Sequence, residues 1–206
     1  MSSLRHISRR SMLRLSAGIF AALLISLGSI VSKAKDPEGN AQRDRGASLA
    51  LPLVDPKIVV SKRKRKLKLY SAGRVVRKYR LGLGLSPVED KVRAQDRRTP
   101  EGEFYICIKN ARSQFYLSLG LSYPNQQHAE RGLREGLINR AQYDQIVGAL
   151  KRRRVPLQNT RLGGEIFIHG NGSQSDWTWG CVALDDKDIR ELFDVVPVGT
   201  PVTIEH

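Results

Sequence analysis

Cysteine is scarce in this chain, with only Cys107 and Cys181 among 206 residues. At most one disulfide can form within it. Neither cysteine stands at ligand-pair spacing from another cysteine or a histidine, so the pattern of a zinc site is missing. Acid is also in short supply: 20 Asp and Glu face 35 Lys and Arg, a net charge of +15. Residues 1–34 contain no acid at all. No internal repeat stands out, and only residues 15–31 form an apolar run approaching bilayer thickness. Hydrophobic content of 40% and charged content of 27% are those of an ordinary globular chain.

What is present at the N-terminus reads as an address. Arg5, Arg9, Arg10 and Arg14 precede the apolar stretch LSAGIFAALLISLGSIV, and Ser32-Lys33-Ala34 offers small residues for cleavage. Basic head, apolar middle and small-residue exit make a secretory signal over residues 1–34. Ser8-Arg9-Arg10-Ser11-Met12-Leu13-Arg14 resembles the twin-arginine export signal of bacteria. The alternative is a retained anchor in the inner membrane. Either way the expected location is the periplasm or cell envelope. Removing the leader's five basic residues from 35 leaves 30 against 20 acids, a charge of +10. Outside the cytoplasm such a charge draws the protein to anionic wall polymers or lipid head groups rather than to nucleic acid.

Residues 35–56 are polar, rich in Gly, Pro and charge, and are expected to be a linker. The domain is expected over residues 57–206. Lys66-Leu67-Lys68-Leu69-Tyr70 alternates at the strand period, Ser71-Ala72-Gly73 turns, and Val75, Tyr79, Leu81 and Leu83 share one phase on the return. The run Lys62 to Lys66 admits a nucleic-acid patch, but a solvated edge strand is the favoured reading. A polar loop over residues 86–102 leads to a buried strand at 103–108 and another at 114–121. Apolar residues at helical spacing predict a helical pair over residues 127–153, broken near Gly136 and Asn139 and stopped by Pro156. Its position suggests a lid, and His128 near its start is expected at the surface. A strand over residues 164–169 ends in His169. A short helix over residues 185–193 is expected to be capped by Asp185, and a last strand ends near Ile204. The fold is therefore expected to be mostly β, with a helical insertion and a late helix.

The informative segment runs from Gly164 to Leu184. His169 ends a strand and Cys181 follows twelve positions later, after a loop rich in Gly and Trp. A thiol attacks as thiolate, a form that a nearby imidazole and a helix N-terminus both favour. His169 could take the thiol proton and return it to a leaving amine. Backbone N–H groups near Gly180 and Cys181 could hold a developing oxyanion. On chemistry alone, an inert core cysteine and a structural histidine remain open alternatives.

Ile168-His169-Gly170 followed by Asp176-Trp177-Thr178-Trp179-Gly180-Cys181-Val182-Ala183-Leu184 resembles the signature of the L,D-transpeptidase catalytic domain family. The resemblance extends to Arg98-Thr99-Pro100-Glu101-Gly102 with the strand after it, to Leu117 through Asn125, and to Gln158-Asn159-Thr160 with Gly163-Gly164-Glu165-Ile166. It covers roughly residues 57–204. It implies an L,D-transpeptidase-like β-sandwich with Cys181 as nucleophile and His169 as general base and acid. Gly170 would supply the third element through its backbone carbonyl, and Thr178 and Gly180 would line the site loop. It implies no metal or organic cofactor, and the peptide stems of peptidoglycan as substrate. Many members carry a second His before Gly-Cys where this chain has Trp179; another branch shows Asp-Trp-Thr there, as here. The implied reaction is transfer of a stem from a Cys181 thioester to an amine. Hydrolysis by the same pair, as a carboxypeptidase or endopeptidase, and an idle wall-binding module are the rivals. Cys107 resembles a core-strand position, and a Cys107–Cys181 disulfide would silence the nucleophile. Of Trp177 and Trp179, one is expected to pack and one to face the cleft.

Overall fold

Alternation builds the first strands of the computed structural model, which describes residues 49–206. In β2 (Lys66–Ser71), Leu67 and Leu69 are fully buried while Lys66, Lys68 and Tyr70 lie half-buried on the other face. Ala72 and Gly73, both at positive φ, turn the chain into β3 (Arg74–Arg80). β2 also pairs antiparallel with β1 (Lys57–Ser61), whose Ile58 and Val60 are fully buried. Each such aliphatic side chain stabilises the fold by about 1.5–3 kcal/mol. The expected leader over residues 1–34 and most of the expected linker lie outside the described residues. At that linker's end, Leu49 and Leu53 pack against the core, and Val54 N–H donates to Ser71 Oγ at 2.9 Å.

β4 (Gly102–Ser113) is twice as long as the strand expected at 103–108, because two partners share it. Residues 102–105 pair with β8 (Pro201–Glu205), and residues 106–113 pair with β5 (Tyr116–Leu121). β6 (Phe167–His169) and β7 (Val182–Ala183) complete the order β3-β2-β1-β8-β4-β5-β6-β7. Beyond β3, isolated bridges from Gly82 to Ala183 and from Gly84 to Thr178 join the two ends of this sheet. The halves on either side of β4 thus enclose one core, to which Ile189 and Leu192 of α3 (Asp186–Val195) contribute. Among the described residues this mostly β fold, an eight-stranded mixed sheet with three helices, matches the expectation.

The helical insertion is α1 (Gln126–Arg134) and α2 (Arg140–Lys151). Asn125 caps α1 by accepting from His128 N–H, and Asn139 and Gln142 form a reciprocal capping box on α2. The pair encloses its own small core of Ala129, Ile138, Ile146 and Leu162.

Four local expectations need correction. The Lys62–Lys66 run is the turn between β1 and β2, not a solvated edge, and Lys62 is 1% exposed. Its ammonium donates to the carbonyls of Val88, Glu89 and Thr99 and pairs with Glu101 Oε1 at 2.7 Å. A buried cation persists because every donor finds an acceptor. His128 is buried rather than superficial, between Asn125 and Asp90. Asp185 precedes α3, but its carboxylate does not cap it. It accepts instead from Ser173 N–H, Ser173 Oγ and Gln174 Nε2, each at 3.0 Å. The insertion does not cover the main cleft in this structure, since none of the described residues lining it belongs to α1 or α2.

Candidate active site

Parallel pairing of β6 with β7 sets Ile168 opposite Val182 and His169 opposite Ala183. That register brings Cys181 beside Phe167, whose N–H donates to Cys181 Sγ at 3.4 Å. His169 and Cys181 line one cleft of about 530 Å³. The far wall is the tip of the β4–β5 hairpin, with Asn110, Ser113 and Phe115. The expected pair therefore does share a cavity, and Thr178 lines it too.

His169 is 2% exposed. Phe115 stacks on its ring at 4.6 Å between centroids, and Trp177 meets it edge-on at 5.5 Å. Nδ1 lies 2.8 Å from the Gly170 carbonyl. A carbonyl can only accept, so Nδ1 carries the hydrogen and Nε2 is left unprotonated. Burial holds the imidazole below its ordinary pKa, partly opposed by that same carbonyl. The result is a neutral base of fixed tautomer. Gly170 N–H points back to the carbonyls of Phe115 and Leu117, and a Cβ on Gly170 would meet Asp186 Oδ1 at 2.5 Å. No larger residue fits there unless its surroundings move.

Cys181 is half-buried and free of any disulfide, as is Cys107. Burial raises its thiol to about 11, opposed by the Phe167 N–H and the charge of Lys91 and reinforced by Glu165. The thiol donates to the Glu165 carbonyl at 3.5 Å. A helix N-terminus does not activate it, because β7 separates Cys181 from α3. The resting pair is thus a thiol and a neutral imidazole.

Each residue of Asp176–Cys181 has an identifiable task. Asp176 accepts from Leu83 N–H at 2.9 Å and pairs with Arg65, whose Nη2 lies 2.6 Å from Oδ2. Trp177 packs on His169 and donates from Nε1 to the Gly172 carbonyl at 3.1 Å. Thr178 Oγ1 donates to the Cys181 carbonyl at 2.8 Å and accepts from Gly180 N–H at 3.1 Å. Trp179 is 61% exposed at the cleft rim, with the Arg97 guanidinium 4.8 Å above its ring. This assigns the two tryptophans: Trp177 packs, and Trp179 faces the opening. Gly180 sits at φ +127, where a Cβ would meet the Arg98 carbonyl at 2.7 Å.

The oxyanion expectation changes in one respect. Gly180 N–H is taken by Thr178, whereas Cys181 N–H has no partner among the described residues. The Cys181 amide is therefore the donor left for a carbonyl oxygen.

Several contributors are not signalled by any motif. The catalytic-type loop rests on Gly82 and Gly84, where a Cβ would stand 2.1 Å from the Ser175 and Arg97 carbonyls respectively. The alternation of glycine with buried leucine in Leu81-Gly82-Leu83-Gly84 is the one trace of this in the sequence. Arg65 and Lys62 have no such trace, because a basic run looks the same whether it is solvated or clamped.

Chemically, the cleft combines a thiol, a neutral imidazole of set tautomer and an unpartnered amide, groups that acyl transfer through a thioester can use. The fold that carries the cleft is also found in known proteins. Residues 55–204 match the family model of the L,D-transpeptidase catalytic domain, and the chain belongs to that family. No curated protein matches it. Among solved structures it is similar to the helical cell shape determining protein of Campylobacter jejuni. That match has 20% identity and a TM-score of 0.50, over 75% of this chain and 48% of the other. An L,D-transpeptidase from Mycobacterium smegmatis matches at 11% identity and a TM-score of 0.44, over 74% and 59%. One from Xylanimonas cellulosilytica matches at 18% identity and a TM-score of 0.44, over 75% and 62%. The chain thus spans about half to three-fifths of the length of these neighbours, and the likeness concerns the fold.

Proposed function

We propose that this chain is a peptidoglycan L,D-transpeptidase of the cell envelope, with Cys181 as nucleophile and His169 as general base and acid. The observation that carries the proposal is the hydrogen bond from His169 Nδ1 to the Gly170 carbonyl, in the cleft that also holds the Cys181 thiol. It leaves Nε2 ready for the thiol proton.

Cys181 Sγ attacks the carbonyl between the third and fourth residues of a peptide stem. The S–H proton passes to His169 Nε2, and the Cys181 amide holds the oxyanion. Collapse breaks the C–N bond. The imidazolium gives its proton to the departing amine, leaving a thioester on Cys181. An acceptor amine then attacks, loses a proton to Nε2 and takes the acyl group, and the sulfur leaves to recover the proton. Membership of the family supports this substrate class. The excess of 35 basic over 20 acidic residues favours residence on an anionic wall or membrane surface.

The test is mass spectrometry of residues 35–206 incubated with a disaccharide-tetrapeptide wall fragment, with and without Cys181→Ala. The expected result is a cross-linked or D-amino-acid-exchanged product that the variant does not form. Loss of the terminal residue without cross-linking would replace transfer by hydrolysis. No change with either protein would overturn the enzyme and leave a wall-binding module.

A further inference from the structure

The cleft around Cys181 contains one formal charge among its described lining residues, and it is negative. Amides, hydroxyls, aromatic rings, a thiol and the neutral His169 make up the rest, and Glu165 is the one Asp, Glu, Lys or Arg among them. The whole chain carries the opposite excess, so the cleft differs in sign from the protein that bears it.

Three observations indicate that Glu165 is there for a ligand. First, its side chain is exposed and its carboxylate has no hydrogen-bond or ion-pair partner among the described residues. By contrast, Asp90, Asp96, Asp176 and Glu191 all bind protein groups. Second, its backbone lies at φ +54, a left-handed conformation that a residue with a Cβ adopts only at a cost. That conformation is held in place. Glu165 N–H donates to Gln158 Oε1 at 2.6 Å, and Gln158 Nε2 is fixed on the carbonyls of Tyr123 and Pro156. Third, the Glu165 carbonyl accepts from Cys181 Sγ at 3.5 Å, so the carboxylate is carried on the residue next to the attacking atom. Its charge acts at the thiol, against the larger and opposite effect of Lys91.

We propose that Glu165 is a specificity residue that binds an ammonium group on the acyl donor, next to the bond that Cys181 attacks. This deepens the proposed function and rests on it. The donor is favoured over the acceptor by chemistry. A carboxylate stabilises the protonated form of any amine beside it, and a protonated amine cannot attack a thioester. An ammonium that only needs to be recognised suffers no such penalty. A lone carboxylate in a partly desolvated cleft suits it, because a charge-assisted hydrogen bond is about twice as strong as a neutral one.

The experiment compares two tetrapeptide donors in the exchange assay. One has a free side-chain ammonium on its third residue, and the other has that amine acetylated. Wild-type protein, Glu165→Gln and Glu165→Lys are each assayed, and iodoacetamide labelling of Cys181 reports an intact site in every variant. The expected wild-type preference for the free-ammonium donor is about tenfold or more in kcat/KM, expressed mainly in KM. In Glu165→Gln the ratio should fall to that set by the acetyl group's size alone, and in Glu165→Lys it should invert. Comparing ratios between variants cancels the size of the acetyl group. A ratio that Glu165→Gln leaves at its wild-type value overturns the assignment, as does a wild-type ratio near one. Turnover of neither donor by wild-type protein overturns the proposed function, and this inference with it.

Discussion

A strand and a turn of this protein each present a cysteine, and by acidity the two are alike. Cys107 in β4 and Cys181 before β7 are both half-buried, and burial pushes both thiols to about 11. Each sulfur donates to a backbone carbonyl, that of Gly120 at 3.4 Å or of Glu165 at 3.5 Å. Their surroundings differ. Cys107 lies within a paired strand. Cys181 ends a turn braced by Thr178, offers an unpartnered amide and shares a cleft with a neutral imidazole of fixed tautomer. The comparison teaches that the proposed reactivity of Cys181 does not depend on a resting thiolate. It depends on a base that removes the proton during attack and a donor that holds the oxyanion.

The sharpest way to break this comparison is to remove each thiol. Cys181→Ser should lower kcat/KM for acyl exchange by a factor of about 10³ or more, the scale of losing a nucleophile. Cys107→Ser should leave it within about twofold. Equal losses would mean that Cys107 takes part in the reaction. Iodoacetamide, which needs no base or oxyanion donor, should blur the distinction. Labelling of either cysteine in the free protein should keep rising with pH toward about 11, as followed by peptide mapping.

The next largest effect separates the walls behind the two sulfurs. Gly180 lies against the Arg98 carbonyl, in the polar loop that Lys62 anchors through Val88, Glu89, Thr99 and Glu101. Lys62→Met takes the ammonium from the Glu101 carboxylate, leaving it His206 Nδ1 at 3.5 Å, and should cost about 3 kcal/mol in urea unfolding, the low end for breaking a buried pair since Glu101 is partly exposed. It should also speed alkylation of Cys181 more than that of Cys107. Arg63→Met, at an exposed neighbour in the same run, should change stability by no more than about 0.5 kcal/mol. Indistinguishable variants would restore the solvated reading of the whole run.

A smaller effect is expected at the turn itself. Thr178→Val keeps the shape but leaves the Cys181 carbonyl and Gly180 N–H without the hydroxyl they share. The loss should be about 1–3 kcal/mol of stability and about 10- to 100-fold in kcat/KM, with alkylation of Cys107 unaffected.

How much of this was legible beforehand follows from which interactions are local. The β2–β3 hairpin, the broken helical pair and the His-to-Cys spacing are written in periodicity, turn residues and motif, and the structure places His169 and Cys181 in one cleft as those signals require. Lys62 and His128 were misread because their partners, Glu101 and Asp90, lie 39 and 38 positions away. Residue type alone then favours the surface. Asp185 was misread for a related reason, since a carboxylate before a helix normally caps it, and here the Ser173 loop competes successfully. The length of β4, and with it the hairpin tip that carries Phe115 over His169, depends on a strand being shared by two partners. No single segment records that.

The subtlest test concerns the base that Cys107 lacks. Burial holds the His169 pKa below its ordinary 6.5, so the unfolded chain binds a proton there more readily than the folded one. Stability from this residue is present above 6.5 and is lost as pH falls through the lower folded value. The acid limb of kcat/KM should follow the same sign, with activity persisting below pH 6.5 and failing only at the depressed pKa. Trp177 covers one edge of the ring. Trp177→Ala admits water, relieves the desolvation and should move the limb upward toward 6.5, while the Nδ1 bond to Gly170 still selects the tautomer. Trp177→Phe restores the apolar cover without the Nε1 bond to Gly172, and its limb should stay near that of the wild type. A limb that Trp177→Ala leaves in place would assign it to a group other than a desolvated His169. The contrast between the two cysteines would then rest on the Cys181 amide and the cleft alone.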